Sequence, residues 1–209
     1  MIELFFSAMA LGFLFNATPG AIFTESLRRG LQGGFSSALY VQFGSLVGDL
    51  TWALLGLGGV AALFEIAAIK MPMALFGGLL LAWLAFASFK DAARKAPSSK
   101  PDLKKDDRSD LIVGAAISLS NPINITYWVG MAGTIATLGV KEPTGISFMV
   151  FLCGFMFSSI LWCFICAGFI GIVRQTINQK IWVIINLFCG FGLAYFSYRV
   201  LINAFYFYF

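Results

Sequence analysis

Histidine is absent from the 209 residues, and charged residues make up only 11% of them. Without histidine the chain lacks the commonest metal ligand and the side chain that ordinarily titrates near neutral pH. The scarcity of charge excludes an ordinary soluble domain, in which about a quarter of residues are charged. Cysteine is sparse as well. Cys153, Cys163, Cys166 and Cys189 all lie in apolar runs, which excludes a secreted disulfide framework. No soluble domain of useful size fits between those runs. The first of them lacks a basic n-region, carries Glu3 and shows no clear small-residue cleavage site, so it reads as a membrane helix rather than a signal peptide.

What the chain has is apolar length. Six runs long enough to span a bilayer lie at about 2–27, 35–64, 72–89, 111–137, 145–173 and 181–206. The fold expected is therefore an all-α membrane protein. The second and fifth runs are overlong and should tilt, bend or emerge from the bilayer. Residues 28–34 read as a short basic, glycine-rich turn. Residues 90–110 read as a flexible linker, with Lys90, Arg94, Lys95, Lys100, Lys104, Lys105 and Arg108 among Pro97, Ser98, Ser99 and Pro101. Brief connections are expected around Lys70-Met71-Pro72, Lys141-Glu142-Pro143 and Gln175 to Lys180.

The basic residues fall on one side. Arg28, Arg29, the seven of the linker, Arg174 and Lys180 follow spans 1, 3 and 5, whereas only Lys70, Lys141 and Arg199 fall opposite. The positive-inside rule places the linker in the cytoplasm and both termini outside, which also accounts for the net charge of +4 without an acidic partner. Residues 1–89 and 111–209 each contribute three spans, so the second half enters the membrane inverted relative to the first. The expected architecture is two inverted three-helix repeats.

Two polar interruptions stand in corresponding places of these halves. Asn16-Ala17-Thr18-Pro19-Gly20 breaks span 1, and Ser120-Asn121-Pro122-Ile123-Asn124 breaks span 4. Proline removes a backbone donor and clashes with the preceding turn. Backbone freed in this way survives at hydrocarbon depth only beside protein or a water-filled cavity. Such paired breaks point to a transporter binding site. The half-helix from Gly20 would aim its unpaired N–H groups at the midplane, and the segment after Pro122 would do so from the other side. A small anion such as a carboxylate suits that arrangement. Asn16, Thr18, Pro19, Gly20, Asn121, Pro122 and Asn124 are the substrate-site candidates.

Asp49 is the only carboxylate this reading places deep in the bilayer, where such a group is costly and functional by default. It is the candidate proton carrier, with a substrate ammonium as its other suitable partner. The matching position of span 5 holds Ser158 and Ser159, which do not titrate, so any proton coupling is asymmetric. Gly30-x-x-x-Gly34, Gly44-x-x-x-Gly48 and the cluster Gly56, Gly58, Gly59 suit close helix packing. Tyr127, Trp128 and Trp162 could line a cavity, and Cys163-x-x-Cys166 lies mid-helix with no adjacent base.

Pro19-Gly20, the glycines at 30, 34, 44 and 48, and Asn121-Pro122 together resemble the LysE-type exporters, a family also named for threonine and homoserine export. The resemblance covers the whole chain. The family's first motif usually reads Pro-Gly-Pro, where this chain has Ala21. Its second often reads Asn-Pro-Lys, where this chain has Ile123. The resemblance implies a bacterial inner-membrane exporter of amino acids or related small metabolites, coupled to protons, with the lipid bilayer as its other partner and room for a homodimer. It implies no catalytic residues, no cofactor, no bound metal and no nucleic acid. A divalent-cation exporter of similar layout would need several oxygen, nitrogen or sulfur ligands, and the chain offers one deep aspartate and no histidine. A DsbD-type thiol electron carrier would need cysteines beside Pro19 and Pro122, where there are none.

Overall fold

The computed structural model describes residues 1–17, 20–57, 67–96, 107–121, 124, 128, 145–176 and 178–208. Seven helices make up most of them, and there is no strand among the described residues. They are α1 (Ile2–Ala17), α2 (Ala21–Gly33), α3 (Phe35–Leu57), α4 (Ala67–Ala92), α5 (Asp107–Leu119), α6 (Gly145–Gln175) and α7 (Gln179–Tyr208). Apolar windows long enough to cross a bilayer occur in α3 (Phe35–Gly56), α4 (Leu75–Ala92), α6 (Gly145–Gln175) and α7 (Gln179–Ile202). α1 and α2 pass the same test only as a pair, with 63° between them. Of the expected fourth span, α5, Asn124 and Trp128 are described, and the remainder lies outside the described residues.

Lipid accounts for the outer surface. Ile146, Met149, Phe157 and Phe169 on α6, and Ile184, Phe188 and Phe191 on α7, are each more than half exposed. Apolar side chains displayed on that scale mark a surface that meets membrane rather than water.

Three expectations are corrected. Residues 28–34 do not form a turn, because α2 continues through Gly33 and only Gly34 breaks the chain. Glu25 forms ion pairs with Arg28 at 2.6 Å and Arg29 at 2.5 Å, one turn away on the same face, which favours winding over a loop. Gly34 has φ +84°, a conformation that strains other residues, and its N–H closes on Gly30 O at 2.7 Å. Lys70-Met71-Pro72 is not a connection either, since α4 begins at Ala67 and Pro72 lies inside it. Pro72 is near the helix start and exposed, where one missing backbone hydrogen bond costs least. The linker is also shorter than expected. α4 runs to Ala92 and α5 starts at Asp107, with 97–106 outside the described residues.

Helix pairing follows the small residues. α1 lies against α6, where Gly12 meets Ser158 and the Phe155 backbone and Gly154 meets the Phe5 carbonyl. α3 lies against α5, where Gly44 meets the Leu111 carbonyl, Gly48 meets Ser118 and Gly114 meets the Val41 carbonyl. α4 lies against α7, with Gly78 on Leu201 and Gly190 on Phe89. Helices in lipid gain nothing from hiding apolar surface from one another, so close backbone approach must supply the attraction. The expected packing role of Gly44 and Gly48 is met, and any side chain there would strike the α5 backbone or Ser118.

Three apolar clusters frame the interior. One joins Leu4 and Ala8 of α1 to Trp52, Trp128, Phe151 and Phe155. A second joins Leu27 and Leu31 of α2 to Ala38, Cys166, Ile170 and Trp182. A third joins Leu81 and Leu84 of α4 to Ile117, Leu193 and Val200.

Candidate functional site

Where the three clusters meet, a cavity of about 260 Å³ remains. Its apolar wall comes from Phe15, Ile22, Phe23, Ile117 and Trp162, and its polar wall from Asn16, Gln42, Ser45, Asp49, Ser118, Asn121 and Asn124. α1 ends one residue past Asn16, and α2 begins at the cavity edge after Gly20. Gly20 is extended, at φ −148° and ψ −170°, and no side chain caps the helix behind it. The first N–H groups of α2, at Ala21, Ile22 and Phe23, belong to residues that line the cavity.

Asn16 spans the α1–α6 contact. Its Nδ2 donates to Gly12 O at 2.6 Å and to Ser159 Oγ at 2.9 Å. Across the cavity, Ser118 of α5 donates its hydroxyl to Asp49 Oδ1 of α3 at 2.9 Å. Asn124 Nδ2 reaches both the carbonyl and the Oγ of Ser118 at 3.2 Å, and Asn121 Nδ2 donates to Asn124 Oδ1 at 3.3 Å. Trp52 Nε1 also donates to Ser118 O, at 3.3 Å. The break after α5 is thus held by side-chain amides together with backbone bonds from Asn121 N to Ser118 O at 3.4 Å and from Asn124 N to Asn121 O at 3.1 Å. Asp49 is buried, and among the described residues it has no cation partner.

Of the residues singled out in the sequence, Asn16, Gly20, Asp49, Asn121 and Asn124 line this one cavity. Thr18, Pro19 and Pro122 lie outside the described residues. Asn16 binds Ser159 rather than either asparagine of the second break. Gln42, Ser45, Ser118 and Phe15 were not foreseen. Gln42, Ser45 and Asp49 are spaced three and four apart along a mostly apolar α3, a one-faced polar stripe legible in the sequence. Trp162 lines the cavity, Trp128 packs in the first apolar cluster, and Tyr127 is outside the described residues. Cys166 accepts a hydrogen bond from Gln42 Nε2 at 3.1 Å. Among the described residues, no three of Cys, Asp and Glu gather into a metal-holding group.

Asp49 is not the only buried acid among the described residues. Glu25, Asp91 and Asp110 are buried as well, at the far end of α2. Arg28 holds Glu25 through Nε at 2.8 Å and Nη2 at 2.6 Å, and Asp91 through Nη1 at 2.6 Å. Arg29 holds Glu25 through Nε and Asp110 through Nη1, both at 2.5 Å. Gln32 Nε2 adds a bond to Asp91 at 2.6 Å, and Arg174 of α6 donates to the carbonyls of Leu31 and Gln32 at 3.1 and 3.2 Å. This network ties α2 to the end of α4, the start of α5 and the end of α6. The chain ends that the charge count assigned to one side therefore do meet. Unlike Asp49, these acids are neutralised where they stand.

The sequence has known relatives. The LysE type translocator family model matches residues 13–204. The "Chemotactic transduction protein ChpE" of Pseudomonas aeruginosa is 43% identical over 175 residues, covering 84% of this chain and 86% of that protein. The "Putative amino acid efflux protein YcgF" of Bacillus subtilis is 22% identical over 197 residues, covering 94% of each. No solved structure matches significantly.

Proposed function

This chain belongs to the LysE type translocator family, and we propose that it exports amino acids or related small metabolites across the bacterial inner membrane, with Asp49 carrying the coupling proton. The observation that carries the proposal is the central cavity. It brings an acid lacking an ion pair among the described residues together with the amides of Asn16, Asn121 and Asn124 and the uncapped start of α2. Among the described residues, no other side chain lining the cavity titrates. Thr18, Pro19 and Pro122 complete the substrate site. The name of the Bacillus subtilis relative supports the substrate class.

The architecture proposed is six spans in two inverted repeats, joined by a cytoplasmic linker between Ala92 and Asp107, with spans 1 and 4 broken at proline. Two features support it. α1 packs on α6 much as α5 packs on α3. Gly44 and Asp49 follow the start of α3 at the same spacings as Gly154 and Ser159 follow the start of α6. The bond from Asn16 to Ser159 then corresponds to the bond from Ser118 to Asp49. Each joins a broken span to the second span of the other half. The network around Glu25, Arg28 and Arg29 closes the cytoplasmic end in this conformation, and α2 must move for substrate to enter from inside.

The test is a panel of amino acids in proteoliposomes, with and without a pH gradient. Transport of at least one, accelerated by the gradient, is expected, and a chain that moves none overturns the reading. Orientation has its own check. A cysteine in place of Ser99 should react with an impermeant maleimide in inverted vesicles and not in intact cells. Labelling from outside would reverse the topology.

A further inference from the structure

Beside the central cavity lies a second one of about 120 Å³. The two share Gly20, Ala21, Ile117 and Asn121, so they meet at the breaks in both halves. The second cavity is walled by Gly77 and Leu81 of α4 and by Phe196, Arg199 and Val200 of α7. Among the described residues, Arg199 is the one cation lining either space. Its Nη1 donates to the Tyr195 hydroxyl at 2.8 Å, and its guanidinium carbon lies 5.8 Å from that ring's centre. Arg28, Arg29 and Arg94 each pair with a carboxylate, whereas Arg199 has no such partner among the described residues.

Position gives this arginine a direction. Gln179, at the start of α7, exchanges hydrogen bonds with Ala96 and Arg94 beside the charged network. Arg199 lies twenty residues further along the same helix, about 30 Å away at 1.5 Å per residue. The second cavity therefore leads from the centre towards the face opposite the network.

We propose that this cavity is the outward leg of the substrate path and that Arg199 receives the carboxylate of a neutral α-amino acid as it leaves the centre. The inference rests on the amino-acid export reading above. A neutral side chain is specified because, among the described residues, Asp49 is the one charged group lining the central cavity and leaves no second charge for an ionised side chain. A guanidinium offers a carboxylate two parallel charge-assisted hydrogen bonds, and an amide cannot use them equally. Arg199 acts after central binding, so it governs the rate of release more than affinity.

The test uses the full chain in proteoliposomes, with initial counterflow rates of L-leucine and L-leucinamide corrected for leak in protein-free liposomes. For L-leucine, Arg199→Gln should lower kcat about tenfold, the worth of one charge-assisted hydrogen bond, with little change in KM. Leucinamide should be unaffected, and Arg199→Lys should recover most of the leucine rate. Equal losses for leucine and leucinamide would make Arg199 structural and overturn the proposal. An unchanged leucine rate in a monodisperse Arg199→Gln protein would reduce it to an anchor at the membrane surface. If the wild-type chain carries other amino acids of the panel but not L-leucine, the neutral-substrate assignment falls while export stands. If it carries none, the export reading falls and takes this inference with it.

Discussion

Asp49→Asn protein in proteoliposomes will fail to concentrate its substrate against a gradient, while exchange of substrate for substrate continues. One pH unit coupled one to one supplies about 1.4 kcal/mol, enough for a tenfold accumulation. That accumulation should fall to none. Asparagine keeps the shape and accepts the same hydrogen bond from Ser118, so the 2.9 Å contact survives the change. What disappears is the only titratable side chain lining the central cavity among the described residues. Folding should not suffer, because a buried acid lacking an ion pair is replaced by a neutral group. Normal accumulation by Asp49→Asn would remove the proton-carrier role. Loss of the folded protein would make Asp49 a structural carboxylate instead.

The second large effect is on stability. Arg29→Leu leaves Asp110 buried at 1% exposure with its ion pair gone. Removing one partner of a buried pair typically costs about 3–5 kcal/mol, far more than the pair itself contributes, because the remaining charge is stranded. Adding Asp110→Leu removes that stranded charge. The double variant should therefore be more stable than Arg29→Leu alone, recovering over half the loss in a detergent unfolding titration. Additive losses would show that the two residues do not act as a unit. The same network distinguishes two kinds of buried acid. Glu25, Asp91 and Asp110 are paired and hold α2 in place, whereas Asp49 faces the Ser118 hydroxyl and has no ion pair among the described residues.

Much of this was legible in one sequence. Scarce charge and long apolar runs determine a helical membrane protein, because hydrocarbon leaves backbone groups no partner outside a helix. Asn16 and Gly20 in one half and Asn121 and Asn124 in the other stood out for the same reason, since a polar break at that depth needs a reason to exist. Asp49 stood out by cost alone. Spacing could also have revealed Gln42 and Ser45, which share its helix face.

Only the tertiary structure decided the rest. Arg28 to Gly34 looked like a basic turn, because besides Glu25 one turn back the acids that pair with those arginines lie more than sixty residues away, at Asp91 and Asp110. No local pattern announces pairs that form only when four helix ends converge. Ser118 was an unremarkable serine and Ser159 only the counterpart of Asp49 in the other half, until folding set one against Asp49 and the other against Asn16. Arg199 read as one stray charge on the sparse side, and only the placement of α7 brought it to a cavity that joins the centre. Burial cost can be read from composition along a chain, whereas the partner that offsets it is chosen by packing between segments far apart in that chain.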